Sequence, residues 1–99
     1  MKIKISKVQA QDPIRFIRRC GYGQIFDRRR GETSYVRRIH GDLYPRFHVY
    51  IEDAGDSWSV NLHLDQRAPV YKGVTAHAGE YDGELVESEA ERIKNTSIN

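Results

Sequence analysis

Hydrophobic and polar residues alternate along two neighbouring segments in the middle of the chain. Every second residue is hydrophobic from Arg46 to Glu52, and the same alternation returns from Trp58 to Asp65. This period of two is typical of strands with one buried face. The segment between them, Asp53 to Asp56, contains a glycine and two aspartates, which favour a turn. The pattern therefore predicts a β-hairpin whose polar side chains share one face.

The register of this hairpin follows from the requirement that hydrophobic faces meet. A loop of odd length would bring polar side chains against the core, whereas an even loop that sets Glu52 opposite Ser57 keeps both faces consistent. In that register His48 lies opposite Asn61. His48 and His63 are then predicted to be diagonal neighbours on the polar face.

Helical patterns stand before and after these strands. Asp12-Pro13 is a typical helix start, and Gly21 can end the helix. A second helix is predicted from Asp82 to about Lys94. Its buried stripe would comprise Leu85 or Val86, Ala90 and Ile93.

Shorter strands are predicted at Lys2 to Ser6, Gln24 to Phe26 and Ser34 to His40. The resulting order, (β)-α-β-β-β-α, indicates a single α+β domain over residues 1–99, in which an antiparallel sheet of three to four strands has its helices packed on one face. Residues 66–81 are expected to form a long loop. Residues 95–99 are expected to be a disordered tail.

Composition limits the kind of protein this can be. The 99 residues suffice for one small core. No apolar run is long enough to cross a bilayer, and the amino-terminal residues do not resemble a secretion signal, so we expect a cytoplasmic protein without a membrane partner. The single cysteine, Cys20, excludes an internal disulfide and is expected to be a buried thiol.

Charge is distributed unevenly along the chain. Residues 1–50 carry twelve Lys or Arg and four Asp or Glu, whereas residues 51–99 carry four and ten. Such asymmetry indicates either an anionic partner for the basic half or ion pairs between the two halves.

Arginine dominates the basic half, and arginine suits phosphate because its guanidinium donates two parallel hydrogen bonds. We therefore predict a nucleic-acid-binding domain with phosphate contacts, and RNA rather than DNA as the partner, since neighbouring tyrosines such as Tyr22, Tyr35 and Tyr44 can stack on unpaired bases. The candidate binding residues are Arg15, Arg18, Arg19, Arg28, Arg29, Arg30, Arg37, Arg38 and Tyr22. The alternative is that these arginines pair with the acidic half.

The order helix, three strands, helix resembles that of double-stranded RNA-binding domains. That family carries a lysine cluster at the start of its second helix, where this chain has Asp82-Gly83-Glu84. The resemblance therefore concerns topology, and neither the binding residues nor the substrate of that family are carried over.

A metal-dependent, hydrolase-like site is the second hypothesis. His63 and Asp65 share a strand face, and His77 and Glu80 would share one side of a helical turn. Together with His48 they offer the nitrogen and oxygen ligands that zinc or manganese takes. The candidate ligands are thus His48, His63, Asp65, His77 and Glu80.

The third hypothesis is a non-catalytic interaction module or homodimer. The chain contains no glycine-rich phosphate loop, nucleophile elbow or dinucleotide-binding fingerprint, which favours a binding protein over an enzyme. The segments YPRFH, LHLDQ and GEYDG resemble those of a family of small bacterial proteins with no assigned activity. That resemblance implies no function.

Overall fold

A computed structural model of the chain describes residues 1–28, 30–66 and 78–96, with side chains from residue 83 onward in the last range. Its elements are, in order, β1 (Lys2–Ser6), α1 (Pro13–Arg19), β2 (Gly23–Asp27), β3 (Glu32–Arg38), β4 (Arg46–Asp53), β5 (Ser57–Asp65) and α2 (Ala78–Lys94). The strands form one antiparallel sheet in the order β1-β5-β4-β3-β2. The predicted α+β class is confirmed, with five strands in place of three or four. Neither helix is long and apolar enough to cross a bilayer within the described ranges.

One face of the sheet carries the core, as the alternation predicts. Hydrophobic side chains of the strands pack there against both helices, because each helix has its own apolar stripe. The innermost residues are Ile3, Ile5, Val49, Val60 and Leu62 from the sheet, Phe16, Ile17 and Cys20 from the first helical segment, and Ala90 and Ile93 from α2. The opposite face, here called the polar face, carries Ser34, Arg38, Arg46, His48, Tyr50, His63 and Asp65.

The register of the β4–β5 hairpin differs from the predicted one by two residues. Asp53 pairs with Trp58, and the backbone N–H of Ala54 donates to the carbonyl of Ser57 at 2.9 Å. Gly55 takes a positive φ of 90° in this turn, a conformation that glycine adopts without strain. A shift of two leaves each side chain on its predicted face. It brings His48 directly opposite His63, and not opposite Asn61.

Helix α1 begins and ends where the sequence predicts. The Asp12 carboxylate accepts from the backbone N–H groups of Ile14 and Arg15, at 3.1 and 3.2 Å. At the other end Gly21 has a φ of 99°, its N–H donates to the carbonyl of Arg18, and the next N–H donates to Ile17. This pair of bonds is the Schellman motif, which turns the chain back over the helix.

Tyr22 follows that turn and lies inside the protein. It was predicted to bind nucleic acid beside the arginines, and this is wrong, because the helix ends at Arg19 and the turn at Gly21 directs the tyrosine inward. The Schellman motif commonly brings the residue after the glycine against the third residue from the helix end. Here those two residues are Tyr22 and Ile17, and both are buried.

Helix α2 begins at Ala78, four residues before the predicted start at Asp82. The predicted loop over residues 66–81 is therefore wrong at 78–81, and residues 67–77 lie outside the described ranges. Gly79 and Gly83 do not interrupt the helix, since each costs only about 1 kcal/mol relative to alanine. The predicted disorder of the tail is wrong at Thr96, whose hydroxyl donates to the carbonyl of Arg92 at 2.8 Å, while residues 97–99 are not described.

A buried carboxylate ties α2 to the rest of the fold. Glu89 is 4% exposed and accepts from the Tyr22 hydroxyl at 2.6 Å. It also accepts from Nε and Nη2 of Arg92, at 2.7 and 2.8 Å, and lies 3.5 Å from the guanidinium of Arg37 on β3. Arg92 in turn donates to the carbonyl of Cys20. The network joins α2, the end of α1 and the sheet.

Replacing Glu89 with alanine should destabilise the protein by about 3–5 kcal/mol, because two arginines and a tyrosine hydroxyl would lose their partner in a buried site. The measurement is the free energy of unfolding from urea titration. Glu87→Ala removes an exposed carboxylate from the same helix and should change stability by about 0.5 kcal/mol or less. Similar losses for the two variants would contradict the importance of the network.

Candidate nucleic-acid interface

Three arginines project from the outer side of α1. Because Phe16 and Ile17 face the core, Arg15, Arg18 and Arg19 point to solvent and all are exposed. None of them forms an ion pair with a residue in the described ranges. Like charges three and four residues apart on a helix cost about 0.2–0.5 kcal/mol per pair. The helix thus carries repulsion that an anionic ligand would relieve.

The predicted arginine loop is the turn between β2 and β3. Arg28 is exposed and has no ion-pair partner among the described residues, whereas Arg30 lies 2.9 Å from Glu32 and 4.3 Å from the centroid of the Tyr50 ring. Arg29 lies outside the described ranges. The turn and the end of α1 stand at opposite ends of the edge strand β2, whose five residues span about 16 Å.

Arg37 and Arg38 point to opposite faces of β3. Arg37 pairs with Phe47 on the helix side, where it meets Glu89, and Arg38 lies on the polar face directly opposite Arg46. Arg38 is exposed, and no carboxylate in the described part of the chain pairs with it. We call the unpaired, exposed arginines the basic edge; they are Arg15, Arg18, Arg19, Arg28 and Arg38.

Two of the three tyrosines expected to stack on bases are not accessible. Tyr22 and Tyr35 are 3% and 6% exposed, so the expectation that they contact a ligand is wrong. Burial and the adjacent Glu89 carboxylate raise the pKa of the Tyr22 hydroxyl, which therefore stays protonated and donates a hydrogen bond to Glu89. Tyr44 is half-buried at the surface, with the Arg46 guanidinium 4.7 Å from its ring centroid.

A hydrogen-bonded chain of four side chains crosses the polar face. The Ser34 hydroxyl and Nε2 of His48 are 2.7 Å apart, and Nδ1 of His48 is 2.8 Å from the Asp65 carboxylate. Asp65 also accepts from Nε of Arg46 at 3.3 Å. The sequence of serine, histidine and aspartate is that of a nucleophilic triad. Ser34 is 0% exposed, however, so its hydroxyl is enclosed and the chain fixes the orientation of His48 and Asp65.

His63 is the exposed histidine of this face. Desolvation lowers the pKa of its imidazole most, and the positive charges of the amino terminus and Arg30 lower it further, while Asp65 raises it. The ring is therefore mainly neutral at pH 7. Tyr50 lies beside it, with ring centroids 6.1 Å apart.

The candidate metal ligands are only partly assembled in the described residues. His48, His63 and Asp65 lie together on the polar face, but both ring nitrogens of His48 are already hydrogen-bonded. Within the described ranges, no three His, Cys, Asp or Glu side chains are placed to hold a metal ion. His77 and the side chain of Glu80 lie outside these ranges, so a zinc or manganese site stays a prediction.

Two buried polar residues that organise the fold and the polar face were not predicted from the sequence. Ser34 was placed on a strand without a role, and nothing in its neighbours signals the contact with His48, which is fourteen residues away. Glu89 was given no role in the predicted helix. Its position one residue before buried Ala90 and four before Ile93 is the one available signal that it borders the apolar stripe.

No family model matches the chain, and neither the curated proteins nor the solved structures contain a significant match.

Replacing Ser34 with alanine should lower the free energy of unfolding by about 1–3 kcal/mol, because Nε2 of His48 would lose its partner in a buried site. Ser59→Ala is the matched control. Ser59 is half-buried on β5 opposite Glu52, and no hydrogen bond to its hydroxyl is found among the described residues. Urea unfolding of both variants measures the difference in free energy of unfolding. Equal losses for the two variants would argue against a stabilising role for the hydrogen bond between Ser34 and His48.

The lowered pKa of His63 should make the protein less stable in mild acid. The unfolded chain, with an ordinary histidine pKa near 6.5, binds a proton more readily than the folded state, so protonation favours unfolding as the pH falls below about 6.5. His63→Gln removes this contribution. Urea midpoints at about pH 7 and pH 5 should fall less for the variant than for the native protein. A larger fall of the urea midpoint for the variant would show instead that protonation of His63 stabilises the folded protein.

Proposed function

We propose that the protein binds nucleic acid and that the basic edge makes its phosphate contacts. The observation that supports the proposal is that several exposed arginines form no ion pair with a described carboxylate. Arg15, Arg18, Arg19, Arg28 and Arg38 are exposed and have no carboxylate partner within the described ranges. Unpaired guanidinium groups retain all their donors for phosphate oxygens.

The competing explanation, in which the arginines pair with the acidic half, accounts for fewer of them. It applies to Arg37, which meets Glu89, and to Arg46, which meets Asp65. Both partners are at least half-buried, and both pairs connect structural elements. The remaining arginines contribute no such cross-link in the described part of the chain, so a structural role does not explain them.

The location of these arginines supports a common ligand. Arg18 and Arg19 stand at one end of the edge strand β2 and Arg28 at the other, while Arg38 ends the adjacent strand near Gly23. A flexible polyanion of a few nucleotides can follow a strand of about 16 Å and contact both ends. A single-stranded nucleic acid is therefore the proposed partner, and the choice of RNA rather than DNA stays a prediction.

Removing two arginines of the basic edge should weaken binding and reduce its salt dependence. For Arg18→Gln with Arg19→Gln, the slope of log affinity against log salt should fall by about 1.4, since each phosphate contact on a single strand contributes about 0.7. Fluorescence anisotropy with a labelled single-stranded RNA at several salt concentrations measures both quantities. A DNA strand of the same sequence tests the preference for RNA.

The matched control is Lys2→Gln with Lys4→Gln. These lysines are exposed on β1, at the other edge of the sheet, and their removal lowers the net charge by the same amount. The control should retain most of the native affinity. Equal weakening by both double variants would indicate a general charge effect, and absence of binding at low salt would refute the proposed function.

A further inference from the structure

A pocket of about 590 Å³ lies at one end of the sheet, at the connection between β3 and β4. Among the described residues it is lined by Asp42, Leu43, Tyr44, Pro45 and Gln66. Its volume is in the range of about 300–1,000 Å³ that is typical of small-molecule sites. A single nucleobase fits within it. None of the residues that line this pocket was assigned above to phosphate binding.

The walls of the pocket combine an apolar surface with one strong acceptor. Leu43 is 53% exposed, and Pro45 and the Tyr44 ring continue its apolar surface. The Asp42 carboxylate is exposed, and no donor in the described ranges is bonded to it. A complementary ligand has a flat apolar face and N–H donors along one edge.

The pocket contains a negative charge, whereas the residues at the two ends of its loop are positive. A phosphate group inside it would be repelled by Asp42. The two ends of the connecting loop, by contrast, are Arg38 and Arg46, which lie directly opposite each other across β3 and β4. Two facing arginines destabilise a strand pair unless an anion lies between or beside them. Asp65 forms an ion pair with Arg46, and a phosphate of the ligand would form one with Arg38.

Guanine is the base whose edge best matches a carboxylate. It presents two adjacent donors, N1–H and the exocyclic amine, to the two oxygens of one carboxylate group. Adenine offers an acceptor at N1, and uracil offers a single N–H between two carbonyl oxygens, which the carboxylate would repel.

We infer that this pocket binds one unpaired guanine of a single-stranded nucleic acid. Asp42 accepts from the edge of the base, Tyr44 and Leu43 contact its apolar surface, and Arg38 binds an adjacent phosphate. The inference rests on the proposed function and adds base specificity to it.

The test compares RNAs of about ten nucleotides, a length within the usual range of single-strand binding sites. One strand contains uridine alone, and the others carry a single central guanosine, inosine or adenosine. We expect the guanosine strand to bind roughly tenfold or more tightly than the uridine strand, as a bidentate pair to a base edge commonly provides. Inosine, which lacks the exocyclic amine, should lose most of that advantage.

The variant Asp42→Asn should bring the ratio of guanosine to uridine affinity close to one. Asp56→Asn is its matched control, because it removes an exposed carboxylate from the turn at the other end of β4 and should leave the ratio unchanged. Circular dichroism verifies that both variants fold.

Three outcomes would overturn the inference and can be told apart. Salt-dependent binding of all four strands with equal affinity would refute the guanine pocket and leave the proposed function intact. Absence of binding by any strand at low salt would refute both. A guanosine preference that survives Asp42→Asn would also exclude the pocket as its source.

Discussion

The buried carboxylate of Glu89 determines how the helices sit on the sheet. One negative charge in the core is acceptable only if nearby donors replace the water it has lost, and Tyr22, Arg92 and Arg37 do so. Each of these donors belongs to a different part of the chain. The carboxylate therefore fixes α2 against the end of α1 and against β3, which in turn directs the arginines of α1 outward.

The parts of the fold that depend on local chemistry could be predicted from the sequence. Alternation specified the faces of β4 and β5, and both ends of α1 were recognisable from Asp12 and Gly21, because caps and glycine turns involve neighbouring residues. The hairpin register could not be predicted, since a shift of two residues preserves the faces. That shift nevertheless decides that His48 faces His63, and so determines the composition of the candidate site.

Buried polar residues were the least predictable feature. In the interior, Glu89, Ser34 and Tyr22 each form a hydrogen bond with a partner at least fourteen residues distant along the chain, and Glu89 also has a local contact with Arg92. Sequence patterns report the average preference of such residues, which is the surface. For the same reason the arginines could be counted but not assigned: Arg37 and Arg38 are adjacent in sequence, yet one joins the core network and the other is exposed.

The charge asymmetry of the chain acquires a definite meaning once these pairs are known. Arg37 and Arg46 bind carboxylates from the acidic half, so part of the asymmetry serves the fold. The arginines of the basic edge lack such partners in the described ranges and lie around β2, whereas Lys2 and Lys4 lie on the other edge strand. An attractive potential at this edge decays over about 10 Å at moderate salt, so it acts on ligands close to β2. The arginines of this chain thus fall into two groups: some join elements of the fold through ion pairs, and the others leave the edge at β2 positively charged.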